Sequence, residues 1–197
     1  MKLRLLILLF CLSAGSVYAD ELKGTCLIDF SGSSTLHDFA GTAACDPFTI
    51  ALANGQYSLV GEKISVPVAG MDTDNGKRDE KMRGMFDIEN FPSISGRVEA
   101  LTPQLLSALK PDQAEQKGQL PLHLKIRDID LTQTALVSNI QENDRQLELD
   151  LELELSLKSY QLKPPSVLGL IRVGDLVKVK IHLLLEKIGQ VPKQILN

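Results

Sequence analysis

The chain contains no tryptophan, and aromatic residues make up only 5% of its 197 positions. Membrane-spanning β-barrels carry aromatic girdles at both interfaces, so this scarcity argues against a barrel that crosses a bilayer. Histidine occurs three times, at His37, His123 and His182, with no second histidine near any of them. C-x-x-C pairs, phosphate loops, dinucleotide glycine patterns and nucleophile elbows are all missing. Lys and Arg nowhere cluster among aromatics, which argues against nucleic acid or anionic lipid surfaces as partners. No apolar run is long enough to span a membrane as a helix.

Cysteine is also scarce: Cys11, Cys26 and Cys45. The first of these falls in a secretory signal, with Lys2 and Arg4, an apolar stretch from Leu5 to Leu12, and Val17-Tyr18-Ala19 before Asp20. A lipoprotein signal centred on Cys11 is the weaker reading, because Phe10 stands where a small residue is wanted. Cleavage after Ala19 leaves a mature domain over residues 20–197, directed to the periplasm or the exterior, with no transmembrane segment. Loss of Lys2 and Arg4 moves the formal net charge from −4 to −6. Cys26 and Cys45 then form an even pair in a compartment where disulfides persist. They are expected to bridge a first hairpin whose turn lies near Ser31-Gly32-Ser33-Ser34.

What is abundant is leucine at a period of two. From Leu147 to Leu157 every odd position is leucine, while the even ones are Glu148, Asp150, Glu152, Glu154 and Ser156. Only a strand places all those leucines on one face. Leu120, Leu122, Leu124 and Ile126 repeat the pattern, as do Val177, Val179, Ile181, Leu183 and Leu185 against Lys178, Lys180 and His182. If these last two long strands are antiparallel neighbours, the acids of one lie beside the cations of the other.

Shorter strand candidates are Thr25 to Ser31, Ala43 to Leu52, Tyr57 to Val68, Ser93 to Leu101 and Leu131 to Ile140, separated by turns at Asn54-Gly55, Asp74-Asn75-Gly76 and Asn143-Asp144. Asn75 to Phe86 and Thr102 to Leu109 read as short helices flanking the sheet. Lys163-Pro164-Pro165 interrupts pairing before the last strand. Seven to nine strands with few helices describe an all-β barrel or sandwich.

Candidate chemistry is sparse. Ser34-Thr35-Leu36-His37-Asp38 holds a hydroxyl, an imidazole and a carboxylate, but a hydrolase needs these groups to converge from separate elements. A side-chain-bonded turn is the simpler reading. His123 and His182 fall on outward strand phases and read as solvated. Asp72, Asp74 and Asn75 resemble a calcium loop only briefly, without the sixth-position glycine or the terminal glutamate. No cofactor or metal is expected.

The stretch Asp72 to Ile94, with Arg78-Asp79 ahead of a short helix, then Phe86-Asp87 and Phe91-Pro92-Ser93-Ile94 leading into a strand, resembles the signature region of the YceI-like family. Leu120 to Leu124 followed by Leu131 to Val137 is similar to that family's next hairpin, and Val173 to Val179 to its closing strand. The resemblance implies a secreted, lipocalin-like antiparallel β-barrel with one or two short flanking helices, whose apolar interior holds a polyisoprenoid or related lipid. Strand phase then nominates Leu122, Leu124, Leu149, Leu151, Leu153, Val177, Val179 and Ile181 as the cavity wall, and His37, Arg78 and Asp79 as head-group residues at its mouth. The expected function is a non-catalytic carrier or sensor of an apolar lipid or isoprenoid. The alternative is a barrel filled by its own leucines that acts as an envelope stress or interaction module. The sequence leaves the oligomeric state open.

Overall fold

The computed structural model describes residues 18–53, 56–60, 63–98, 107–109, 118–164 and 173–192. The signal segment up to residue 17, the expected turn at Asn54-Gly55 and most of the helix expected from Thr102 lie outside them. Ten strands follow in chain order: β1 (Tyr18–Ser34), β2 (Phe39–Ala44), β3 (Phe48–Ala53), β4 (Gln56–Val60), β5 (Ile64–Pro67), β6 (Ser93–Arg97), β7 (Gly118–Ile126), β8 (Ile129–Glu142), β9 (Gln146–Ser156) and β10 (Val173–Pro192). A 3-10 turn at Val68–Gly70 and one α-helix, α1 (Gly76–Phe86), separate β5 from β6.

All pairings are antiparallel, in the order β4-β3-β1-β10-β9-β8-β7-β6-β5, with β2 also on β1. The long β1 serves two neighbours: Glu21 to Gly24 pair with β3, and Leu27 to Gly32 pair with β2. The ring closes between β2 and the chain around β5. Asp46 N donates to Ser65 O at 2.8 Å, and Thr42 and Asp72 exchange backbone bonds of 2.7 and 2.9 Å. The result is a nearly closed β-barrel of lipocalin-like architecture.

Several boundaries differ from the sequence reading. Ala43 to Leu52 is not one strand, because Cys45-Asp46-Pro47 breaks it into β2 and β3; Pro47 has no N–H to give to a ladder. Tyr57 to Val68 likewise divides into β4 and β5, so the described residues form ten strands rather than seven to nine. The first hairpin turns at residues 35–38, beyond the serines of β1. Asp74-Asn75-Gly76 is a helix start, with Asn75 Oδ1 accepting from Arg78 N at 3.1 Å. β10 continues to Pro192, beyond the alternation that ends at Leu185.

The β9–β10 ladder follows the alternation closely. Leu147, Leu149, Leu151, Leu153 and Leu155 stand opposite Leu185, Leu183, Ile181, Val179 and Val177 on the inside. Outside, Glu154 faces Lys178, Glu152 faces Lys180 and Asp150 faces His182. A barrel apolar within and charged without is the inverse of a membrane-spanning one.

Two of the turns are set by local chemistry. Asn143 Oδ1 accepts from Arg145 N and Gln146 N at 2.8 and 3.0 Å, closing the β8–β9 turn. Arg127, in the two-residue turn between β7 and β8, takes φ 56° as a tight hairpin requires.

Candidate ligand-binding cavity

Inward side chains fill a closed barrel only if their summed volume matches its lumen. Here they leave a cavity of about 580 Å³. The leucine stripes of β7 and β9 and the Val-Ile-Leu stripe of β10 all border it. All eight wall residues nominated from strand phase border it: Leu122, Leu124, Leu149, Leu151, Leu153, Val177, Val179 and Ile181. Cys26 lies on the same wall, bonded to Cys45 across the β1–β2 hairpin with the Cα atoms 5.4 Å apart.

Three glycine–phenylalanine pairs join β1 to β2 and β3. Gly24 pairs with Phe48, Gly32 with Phe39, and Phe30 with Gly41. A Cβ built on any of these glycines would land against the ring of its partner. Each phenyl group therefore lies flat over a strand backbone, a placement that only glycine permits. Phe30, Phe39 and Phe48 all border the cavity, and none stood out in the sequence, because the signal is a cross-strand Gly–Phe register rather than a local pattern.

α1 covers one end of the lumen. Asn75 caps its start, and Asp87, in the left-handed region at φ 54°, ends it. Arg78, Lys81, Met82 and Met85, spaced three and four apart, share the helix face that borders the cavity. Arg78 is braced from behind: its Nε donates to Thr73 Oγ1 at 2.7 Å and a terminal nitrogen donates to Thr73 O. Asp79 points the other way. It is buried and accepts from Thr73 N at 3.0 Å and Thr73 Oγ1 at 2.5 Å, so it supports the loop ahead of α1 and does not border the cavity.

His37 borders the mouth from the β1–β2 turn. Ser34 Oγ donates to His37 O at 2.6 Å and accepts from His37 N at 3.3 Å. The serine proton is thus committed to a backbone carbonyl rather than to the imidazole. Deeper inside, Tyr160 is almost fully buried; Gln133 Nε2 donates to its hydroxyl at 3.0 Å, and the hydroxyl donates to Leu124 O at 3.4 Å. Burial pushes the Tyr160 phenol above its ordinary value, with the charge of Asp130 adding to the rise and the Gln133 bond opposing it.

A polar cluster sits on the outer surface. Asp150 is only 7% exposed although it points away from the lumen. His182 Nδ1 lies 2.9 Å from its Oδ1; Asn139 Nδ2 donates to Oδ2 at 2.7 Å and Lys180 Nζ lies 3.4 Å away. Burial alone would raise the Asp150 pKa, but the bonds from His182 and Asn139 and the Lys180 charge outweigh it, so the carboxyl lies below its ordinary value. Asn139 reaches this site from a bulge in β8, where the register to β9 shifts between Ser138 and Gln141 and its φ is 53°.

The YceI-like domain profile matches residues 23–185. No curated protein of known function matches the sequence significantly. Among solved structures, a polyisoprenoid-binding domain from Saccharophagus degradans superposes with a TM-score of 0.62 at 13% identity, covering 84% of this chain and 98% of that one. BcnA of Burkholderia cenocepacia superposes with a TM-score of 0.55 at 15% identity, covering 81% and 95%. At such identities the two neighbours speak for the fold alone, whereas the profile spans nearly the whole barrel, and the chain belongs to the YceI-like family.

Proposed function

We propose that this protein is a non-catalytic carrier or sensor that encloses one long apolar chain inside its barrel. The carrying observation is the cavity of about 580 Å³ walled by leucine, valine, isoleucine and phenylalanine. Each methylene moved from water into such a space contributes about 0.8 kcal/mol, so a long chain needs few polar contacts to be retained. The S. degradans domain is described as polyisoprenoid-binding, which supports a lipid of that kind as cargo. The open lumen speaks against a barrel closed by its own leucines.

The protein acts outside the cytoplasm in this reading, as residues 20–197, after removal of residues 1–19. The Cys26–Cys45 bridge fits that compartment. The ladder between β1 and β10 is irregular between Ala19 and Glu21 and regular from Glu21 to Gly32, so a cut after Ala19 spares the main run of pairs.

The test is titration of the lipid-stripped protein with cis-parinaric acid, a fluorescent polyene. Leu151→Glu should abolish the fluorescence gain, whereas Glu152→Leu, one residue along the strand, should leave it within about twofold, with circular dichroism verifying the fold of both. Equal loss in the two variants would remove the lumen as the binding place.

A further inference from the structure

Among the described residues, every charged side chain that borders the cavity has the same sign. Lys77, Arg78 and Lys81 border it from α1 and Arg97 from β6, with His37 on the β1–β2 turn. No described Asp or Glu borders it, in a chain whose acids outnumber its Lys and Arg by 25 to 21. Acids are not lacking nearby, for Asp38, Asp72, Asp74, Asp79 and Glu80 all belong to the segments that build the mouth. Asp79 is turned onto Thr73, Asp72 accepts from Asp74 N at 2.8 Å, and Asp38, Asp74 and Glu80 are exposed away from the lumen. Lys77 and Lys81, one helical turn apart, make no ion pair among the described residues. Cations beside a low-dielectric lumen attract an anion more strongly than they would in open water.

Leu36 is 61% exposed at the same mouth and borders the cavity, so it offers apolar cover to the first carbons behind a head group.

We infer that the ligand is an anionic amphiphile: a single apolar chain whose carboxylate or phosphate head rests among Lys77, Lys81 and His37 while the chain enters the leucine-walled lumen. This rests on the apolar-chain reading above and narrows it in charge. Arg78, held by Thr73, fixes one side of the head-group space, and the two lysines supply mobile charge at its rim.

The test is isothermal titration calorimetry on the lipid-stripped protein with two matched pairs of probes, geranylgeranyl phosphate against geranylgeraniol and phytanic acid against phytol. Inorganic phosphate is titrated separately. At least one anion should bind roughly tenfold or more tightly than its alcohol, with the gap shrinking as salt rises. The stronger of the two anions identifies the head group.

The double variant Lys77→Gln, Lys81→Gln should close that gap while leaving the alcohols unchanged, and Glu80→Gln should leave it intact. Alcohols binding as tightly as their anions would overturn the head-group inference and leave the apolar-chain reading standing. Inorganic phosphate binding as tightly as geranylgeranyl phosphate would make the mouth a free-anion site. Failure of every chain, with or without charge, would instead bring down the apolar-chain reading itself.

Discussion

At the scale of single residues, Gly41 and Asp150 show two ways in which the barrel departs from a simple inside–outside code. A Cβ at Gly41 would meet both the Phe30 ring and the Asp72 carbonyl oxygen, at 2.6 Å from the latter. Gly41→Ala should therefore cost about 1 to 3 kcal/mol in urea unfolding, and the displaced Phe30 ring should also weaken uptake of an apolar chain. Asp150 carries a depressed pKa on the outer surface. Its ionised form contributes stability that is fully present above the ordinary aspartate value, near 3.9, and lost as pH falls through the lower folded value. Asp150→Asn should cost about 2 kcal/mol at neutral pH, and thermal unfolding curves of wild type and variant should converge below about pH 4. The sequence marked Asp150 and His182 as outward and solvated. It could not show that a bulge in β8 would carry Asn139 onto the same carboxylate and close it off from water, because a bulge is a property of two strands in register.

At the scale of elements, α1 and the β9–β10 pair represent opposite degrees of legibility. The alternation of leucine with acid along β9, and of β-branched residues with lysine along β10, specified both faces and the pairing. A slip of one residue would turn five leucines into water, so the register was in effect written into the sequence. The eight wall residues could be placed from that phase alone. Helix α1 was foreseen, but Asp79 was expected at the mouth and instead binds Thr73; which side of a short helix meets a neighbour depends on the loop that delivers it. Asn75→Ala should remove the bond from Arg78 N and cost about 1 kcal/mol, whereas Asn75→Asp should cost little. Hydrogen exchange should report the loss in the first turn of α1 while the ladder of β9 and β10 stays protected. Lys77 and Lys81 escaped notice for a related reason: surface lysines on a helix are ordinary until a cavity opens beside them.

At the scale of the whole molecule, hollowness was the feature least accessible to sequence reasoning. Five leucines on one strand suit a filled barrel as well as an open one. The difference lies in the small residues elsewhere in the barrel: Gly24, Gly32 and Gly41 with their overlying phenylalanines, Ala43 on β2, and Ala135 and Val137 on β8 beside β9. Ala135 and Val137 are fully buried, yet together they occupy far less space than two leucines would. Closure came from chain segments with no strand signal of their own, since the Thr42–Asp72 and Asp46–Ser65 bonds join irregular backbone to β2 and β5.

The central claim, an open lumen that holds one apolar chain, is tested most directly by native mass spectrometry of the full-length product purified gently from its host, before and after solvent extraction. One discrete lipid per polypeptide, released by extraction and rebound when returned, is the result this account requires. A bare polypeptide that takes up no lipid or prenyl chain when offered one would contradict it.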